Sequence, residues 1–193
     1  MNIELLYISI YSYILGSIPF GLLLAKIFLK KDIREIGSGN IGATNVLRSG
    51  KKILGVSTLT LDSLKAYISV IIAMNYFQDY IYFSALLCFL GHIFPIWLKF
   101  KGGKGIAVYI GVLFAFSLYL GCVFIISWIV ILYFSKYSSL SSLISTLVTF
   151  LYSISLSNFN MSLFIFIVFI IVIYTHRENI LRIKNKTEDK INL

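Results

Sequence analysis

Between Asp32 and Lys52 the chain reads DIREIGSGNIGATNVLRSGKK, a polar, Gly-rich segment between two apolar runs. Gly37, Gly39, Gly42 and Gly50 let backbone N–H groups approach a ligand closely. Ser38, Asn40, Thr44 and Asn45 add short hydrogen-bonding side chains, and Arg34, Arg48, Lys51 and Lys52 add positive charge. That content suits a loop that holds phosphate at a membrane face. It equally suits a solvated, positively charged loop that fixes topology, and the loop alone leaves both readings open.

Three further polar clusters can carry chemistry. KFKGGKG at 99–105 combines Lys101 and Lys104 with the backbone N–H groups of Gly102 and Gly103. A plain basic flank does not need two adjacent glycines. SKYSSLSS at 135–142 supplies Ser138, Ser139, Ser141 and Ser142 as hydroxyl donors, or as caps of the helix that follows. In THRENI at 175–180, His176 and Asn179 are three apart and share a helix face. A His at a helix end also complements the helix dipole without any catalytic role.

What is missing narrows the chemistry. There is no GxxxxGK[ST] phosphate loop, since the GGK at 102–104 lacks its leading Gly, and no GxSxG elbow. The acids are scattered, with no paired carboxylates to hold Mg²⁺. Neither His92 nor His176 opens an HxxxxD motif. Cys88 and Cys122 stand singly in apolar runs and read as packing residues. Metal and cofactor are therefore both expected to be none. Arg, Lys, Gly N–H and Ser without a nucleophile suit a substrate that is already activated.

These groups must be positioned by membrane helices. The chain has 193 residues, 59% hydrophobic and 13% charged. Soluble domains average about 25% charged, and one this size lacks the interior to hide so much apolar surface. The net charge of +9 raises nucleic acid as a partner. Lys and Arg, however, crowd the ends of apolar runs, as orientation by positive charge requires. No nucleic acid is expected. Glu4 stands where a signal peptide needs a basic region, so the first run reads as a retained helix.

Ile3 to Phe28 is long enough to span, with a kink expected near Gly16 and Pro19. Ile53 to Leu98 holds two spans, broken at Asn75 to Asp79. The uncharged runs from Ile106 to Phe134 and from Leu143 to Tyr174 are each long for one crossing and short for two. Lys and Arg fall near 26–52, at 99–104, at Lys136 and after His176. If all these segments face one side, two crossings fit each long run, with turns near Gly121 and Asn158. The expected fold is an all-α polytopic membrane helix bundle of seven transmembrane helices, N-terminus outside. Five spans with re-entrant hairpins are the alternative. Lys65 breaks the surface pattern, and Asp62 three residues before it shares its face, so a pair inside the bundle is expected.

Taken together, GSIPFG at 16–21, IGSGNIGATNVLR at 36–48, GHIFPIWLKFKGGKGIA at 91–107, SLSS at 139–142 and HRENI at 176–180 resemble the bacterial acyl-phosphate:glycerol-3-phosphate acyltransferases, the PlsY family. The resemblance covers nearly the whole chain and implies one integral membrane acyltransferase domain, 1–193. It implies transfer of an acyl group from acyl phosphate to position 1 of glycerol 3-phosphate, the first acylation of phospholipid synthesis. Ser38, Arg48 and Lys104 would surround glycerol 3-phosphate from the cytosol. Thr44, Ser142, His176 and Asn179, with backbone N–H groups near Gly42 and Ala43, would surround the head of acyl phosphate from the bilayer. Ser139 belongs to the same binding set. Membrane lipid and the enzyme that makes acyl phosphate are the other implied partners. The implied location is the bacterial inner (plasma) membrane, with the site on the cytoplasmic side. A transporter for an organic phosphate is the rival reading, with sites nearer the midplane. A structural membrane subunit would leave the Gly-and-hydroxyl loops unexplained.

Overall fold

The computed structural model of the chain describes residues 3–191, and among them there is no strand. The chain divides into two compact units, Met1–Ala115 and Phe116–Leu193.

The first unit begins with α1 (Ile3–Ser17) and α2 (Phe20–Leu29), which together form one apolar span. Pro19 lacks an N–H, so the helical ladder stops there, as the sequence predicts. The carbonyls released by the break need partners inside a membrane. Ser17 O accepts from Trp97 Nε1 at 2.8 Å and Ile18 O accepts from Lys65 Nζ at 2.6 Å. A short α3 (Ala43–Leu47) precedes α4 (Lys52–Tyr76), and α5 (Ile81–Ile93) follows the break at Phe77. α1 lies close against α5: a Cβ on Gly16 would overlap the carbonyl of Cys88. Ser84 on α5 bonds Ser12 on α1 at 2.8 Å and Ser69 on α4 at 3.1 Å, tying three helices through hydroxyls.

The expected buried pair is present. Lys65 Nζ lies 2.7 Å from Asp62 Oδ1, and both side chains are 2% exposed. The directed hydrogen bonds of the ammonium run to Ile18 O and, at 3.1 Å, to His92 Nδ1 at the end of α5. Removing one partner of such a pair leaves an uncompensated charge, at a cost of about 3–5 kcal/mol.

The first unit closes on α6 (Ile106–Phe116), which reaches the boundary. The second holds α7 (Leu118–Ser135), α8 (Ser138–Ser155), α9 (Phe159–Thr175) and α10 (Arg177–Lys184), with α8 against both α7 and α9. The buried face of α8 is Ser139, Ser141, Ser142, Ser145, Thr146, Thr149 and Ser153. Small residues allow close helix approach. Several of these hydroxyls return to their own helix, as Thr146 Oγ1 does to Ser142 O at 2.7 Å. α9 and α10 meet at His176 with a bend of 57°.

The turn expected near Asn158 is there: Asn158 Oδ1 caps α9 by accepting from Met161 N at 3.0 Å. The turn expected near Gly121 is not. The break falls at Ser117, whose Oγ accepts from Tyr119 N at 3.2 Å, while Gly121 is buried inside α7. A Ser hydroxyl can satisfy a free N–H at a helix start and Gly cannot. The shift leaves α6 only 11 residues long, about 16 Å at helical rise. Among the described residues, five segments are long and apolar enough to cross a membrane: Ile3–Leu29, Lys52–Tyr76, Gln78–Leu98, Leu118–Ser135 and Ser138–Ser155. If the bent pair α9–α10 counts as one span, it is a sixth.

The basic flanks have a backbone role. Lys30, Lys99 and Lys136 each end a helical turn in the left-handed region, with φ of 54°, 51° and 63°.

Candidate active site

The Gly-rich loop is organised by Asn45, which is buried. Its Nδ2 donates to Ile33 O at 2.9 Å, Ile36 O at 2.9 Å and Asn40 O at 2.8 Å. Its Oδ1 accepts from Ser38 N at 2.9 Å and lies 3.3 Å from Ser38 Oγ. One amide therefore fixes the path of the loop and the place of Ser38, which is itself exposed. Asn40 Oδ1 accepts from Gly42 N at 2.8 Å, so that N–H is engaged by the loop. Ala43 and Thr44 open α3, and exposed Arg48 caps its other end. One loop thus brings together Ser38, Gly42, Ala43, Thr44 and Arg48.

Arg34 is held within the loop. Its Nη2 lies 2.6 Å from Asp32 Oδ2. The hydrogen bonds from the Arg34 side chain, and then from its backbone N–H, hold the Asp32 carboxyl down at about 2. That pairing offsets one positive charge the sequence assigns to the loop.

KFKGGKG folds back on the end of α5. Gly102 N donates to Ile93 O at 2.9 Å and Gly103 N donates to His92 O at 3.0 Å. The N–H groups expected to face a ligand instead build the loop, because the C-terminal carbonyls of a helix need donors. Half-buried Lys104 follows directly.

In the second unit the start of α8 and the α9–α10 corner carry Ser139, Ser142, His176 and Asn179, all buried. Ser139 Oγ and Asn179 Nδ2 both donate to Glu188 Oε1 at 2.6 Å, and Arg182 Nε donates to Glu188 Oε2 at 2.8 Å. Partial burial pushes the Glu188 carboxyl up, but the bonds from Ser139, Arg182 and Asn179 outweigh it and leave the carboxyl below its ordinary value. Ser142 Oγ donates to Ser138 O at 2.9 Å and accepts from Trp128 Nε1 at 3.1 Å. His176 Nδ1 lies 2.9 Å from Val172 O. A carbonyl only accepts, so Nδ1 carries the proton and the lone pair of the neutral ring is on Nε2.

The first unit thus carries Ser38, Arg48 and Lys104, and the second carries Ser139, Asn179 and Arg182, which already hold one oxyanion, the Glu188 carboxylate. The glycerol-3-phosphate acyltransferase family model matches residues 6–186. The chain belongs to this family. It is 56% identical over 98% of its length to a glycerol-3-phosphate acyltransferase from Pelagibacter ubique, covering 99% of that protein. It is 45% identical, again over 98% of its length and 94% of the relative, to one from Brucella suis. Two crystal structures of PlsY, an integral membrane glycerol 3-phosphate acyltransferase, are similar at 37% identity, over 98% of this chain and 96% of theirs. The glycerol 3-phosphate form matches with a TM-score of 0.93 and the lysophosphatidic acid form with 0.90.

For a PlsY-family chain, three residues beside the expected site carry little signal in the sequence. Asn45 is one of several short polar groups in its loop. Glu188 and Arg182 sit in a basic tail, and nothing in their spacing marks them.

Proposed function

We propose that this protein transfers a fatty acyl group from acyl phosphate to position 1 of glycerol 3-phosphate, releasing phosphate and lysophosphatidate, as the first acylation of phospholipid synthesis. The nearly full-length match to glycerol-3-phosphate acyltransferases carries the reading. The oxyanion-binding chemistry of both units supports it.

Arg48 and Lys104 hold the phosphate of glycerol 3-phosphate, Arg48 through its planar fork. Ser38, held by Asn45, bonds the glycerol part. Thr44, Ala43, Gly42, Ser139, Ser142, His176 and Asn179 serve the acyl-phosphate head. Acyl phosphate is a mixed anhydride, so the site has to position the reactants and stabilise charge more than supply a nucleophile. The glycerol hydroxyl forms the new ester bond at the acyl carbon. The bond from that carbon to the phosphate oxygen breaks, and a phosphate oxygen takes the proton. His176 orients the leaving phosphate. The reaction takes neither metal nor cofactor.

The chain works as one domain in the bacterial inner membrane, with seven crossings, α6 being a short one, and the N-terminus outside. Glycerol 3-phosphate comes from the cytosol and acyl phosphate from the bilayer, where the enzyme that makes it is a partner. Against a transporter, the deep charges Asp62 and Lys65 are paired with each other and with the backbone. Purified protein given both substrates should form lysophosphatidate. Release of phosphate without lysophosphatidate would rule the reading out.

A further inference from the structure

We propose that Asp62, Lys65 and His92 form a positioning network for Lys104, and that it sets the affinity for the acceptor's phosphate without touching that phosphate. The inference rests on the reading above, in which Lys104 holds that group.

The network spans three elements. Lys65 and Asp62 stand on α4, Ile18 at the break after α1, and His92 in the last turn of α5. An ammonium has three N–H donors. Two of Lys65's meet Ile18 O at 2.6 Å and His92 Nδ1 at 3.1 Å, and Asp62 Oδ1 lies 2.7 Å from the nitrogen as its ion-pair partner. This buried cation is thus committed to the scaffold. Because Nδ1 accepts from an ammonium, the neutral His92 ring keeps its proton on Nε2. Lys65 therefore fixes the ring's tautomer as well as its orientation.

The far edge of that ring lies against the Lys104 loop. A Cβ on Gly103 would overlap His92 Nε2 and would come within 2.8 Å of Cε1 and 2.9 Å of Cδ2. Gly103 is not among the glycines with positive φ, so the ring, and not the backbone conformation, excludes a side chain there. The backbone of His92 holds the same residue, its carbonyl accepting from Gly103 N at 3.0 Å. Lys104 is the next residue. A shift of the ring is passed to Lys104 through one peptide unit. A buried ion pair that merely stabilised the bundle would need no such platform.

The test uses full-length protein in detergent, with steady-state constants for both substrates and a thermal midpoint for each variant. Asp62→Asn/Lys65→Met removes both charges together and so leaves no lone buried ion. It should raise KM for glycerol 3-phosphate about tenfold, with kcat and the KM for acyl phosphate little changed. Gly103→Ala should do the same by pushing against the ring. Adding His92→Asn should restore much of the loss: Asn keeps an acceptor near the place of Nδ1 and clears the ring's far edge. That rescue is a readout a purely structural role would not give. If the Asp62/Lys65 variant does not fold, the Gly103/His92 pair carries the test alone. Folded variants that keep a normal KM for glycerol 3-phosphate, or penalties at Gly103 and His92 that add without rescue, would overturn the inference. Lys104→Ala is the control. If it raises that KM while the network variants do not, the inference fails and the functional reading stands. If it leaves that KM unchanged, Lys104 does not hold the acceptor's phosphate and the inference falls with that assignment, while formation of lysophosphatidate decides the functional reading separately.

Discussion

Asn179 Nδ2 donates to Glu188 Oε1 at 2.6 Å, so the C-terminal tail holds a residue assigned to the acyl-phosphate head. The tail is secured further along, where Ile191 N donates to Lys136 O at 2.8 Å. Glu188→Gln removes the charge that gathers Ser139, Asn179 and Arg182. It should cost about 1–3 kcal/mol of stability and speed hydrogen exchange in α10 and the tail, but not in α4. The folded Glu188 carboxyl lies below its ordinary value of 4.5. Its contribution is therefore complete above that value and is lost as pH falls through the lower folded value. Exchange in the tail should rise in that acidic window in the native protein and show no such step in Glu188→Gln.

Asn45→Ala deletes one amide that serves three carbonyls and the backbone N–H of Ser38. Net hydrogen bonds are worth about 1 kcal/mol each, so a loss of roughly 2–4 kcal/mol is expected. Glycerol 3-phosphate binding should weaken with it, because Ser38 and Arg48 lie on the same loop. Calorimetry and a binding titration would check both parts. A normal titration in the Ala variant would show that the loop keeps its path without Asn45.

Arg48 and Lys104 face a dianion in the proposed site. Charge-assisted bonds of this type are worth about 1.5–3 kcal/mol. Either Ala variant should lose at least about tenfold in kcat/KM for glycerol 3-phosphate, with an unchanged thermal midpoint. Near-normal kinetics in both would remove them from the site.

His176 is 3% exposed, and its Nδ1 is committed to Val172 O. If it orients the leaving phosphate, His176→Ala should slow turnover and leave the shape of the pH–rate profile unchanged. An obligatory base would take one limb of the profile with it. Mass spectrometry of protein incubated with acyl phosphate alone should find no acyl adduct on Ser38, Thr44, Ser139 or Ser142. An adduct discharged by glycerol 3-phosphate would replace direct transfer with a covalent route.

Single cysteines can settle topology once Cys88 and Cys122 are changed to Ala. Gln78→Cys, Tyr119→Cys and Asn160→Cys should react with an external impermeant thiol reagent. Lys101→Cys and Asp189→Cys should react only after permeabilisation. Positions 101 and 119 labelling from the same side would mean that α6 does not cross.

The helical frame was legible because its signals are local. Pro19 stops a ladder wherever it stands, and the polar residues after Asn75 have no place in hydrocarbon. Asp62 and Lys65 announced a buried pair by their spacing. What did not show was set at a distance. Asn45 bonds carbonyls on both sides of the Gly-rich turn, and no periodicity encodes that. His92 reads as an ordinary residue of an apolar helix until Lys65 and Gly103 lie beside it. Glu188 meets Ser139 only because the chain returns past α10. The break at Ser117 went to a competing local signal, a hydroxyl cap against a glycine.

The partners of Lys65 lie on both sides of it in the order of synthesis. Ile18 leaves the ribosome before α4, and His92 after it. The carboxylate of Asp62 and the broken end of the first span are therefore made before the imidazole, and the buried ammonium has all its partners only once the third hydrophobic segment has joined the first two.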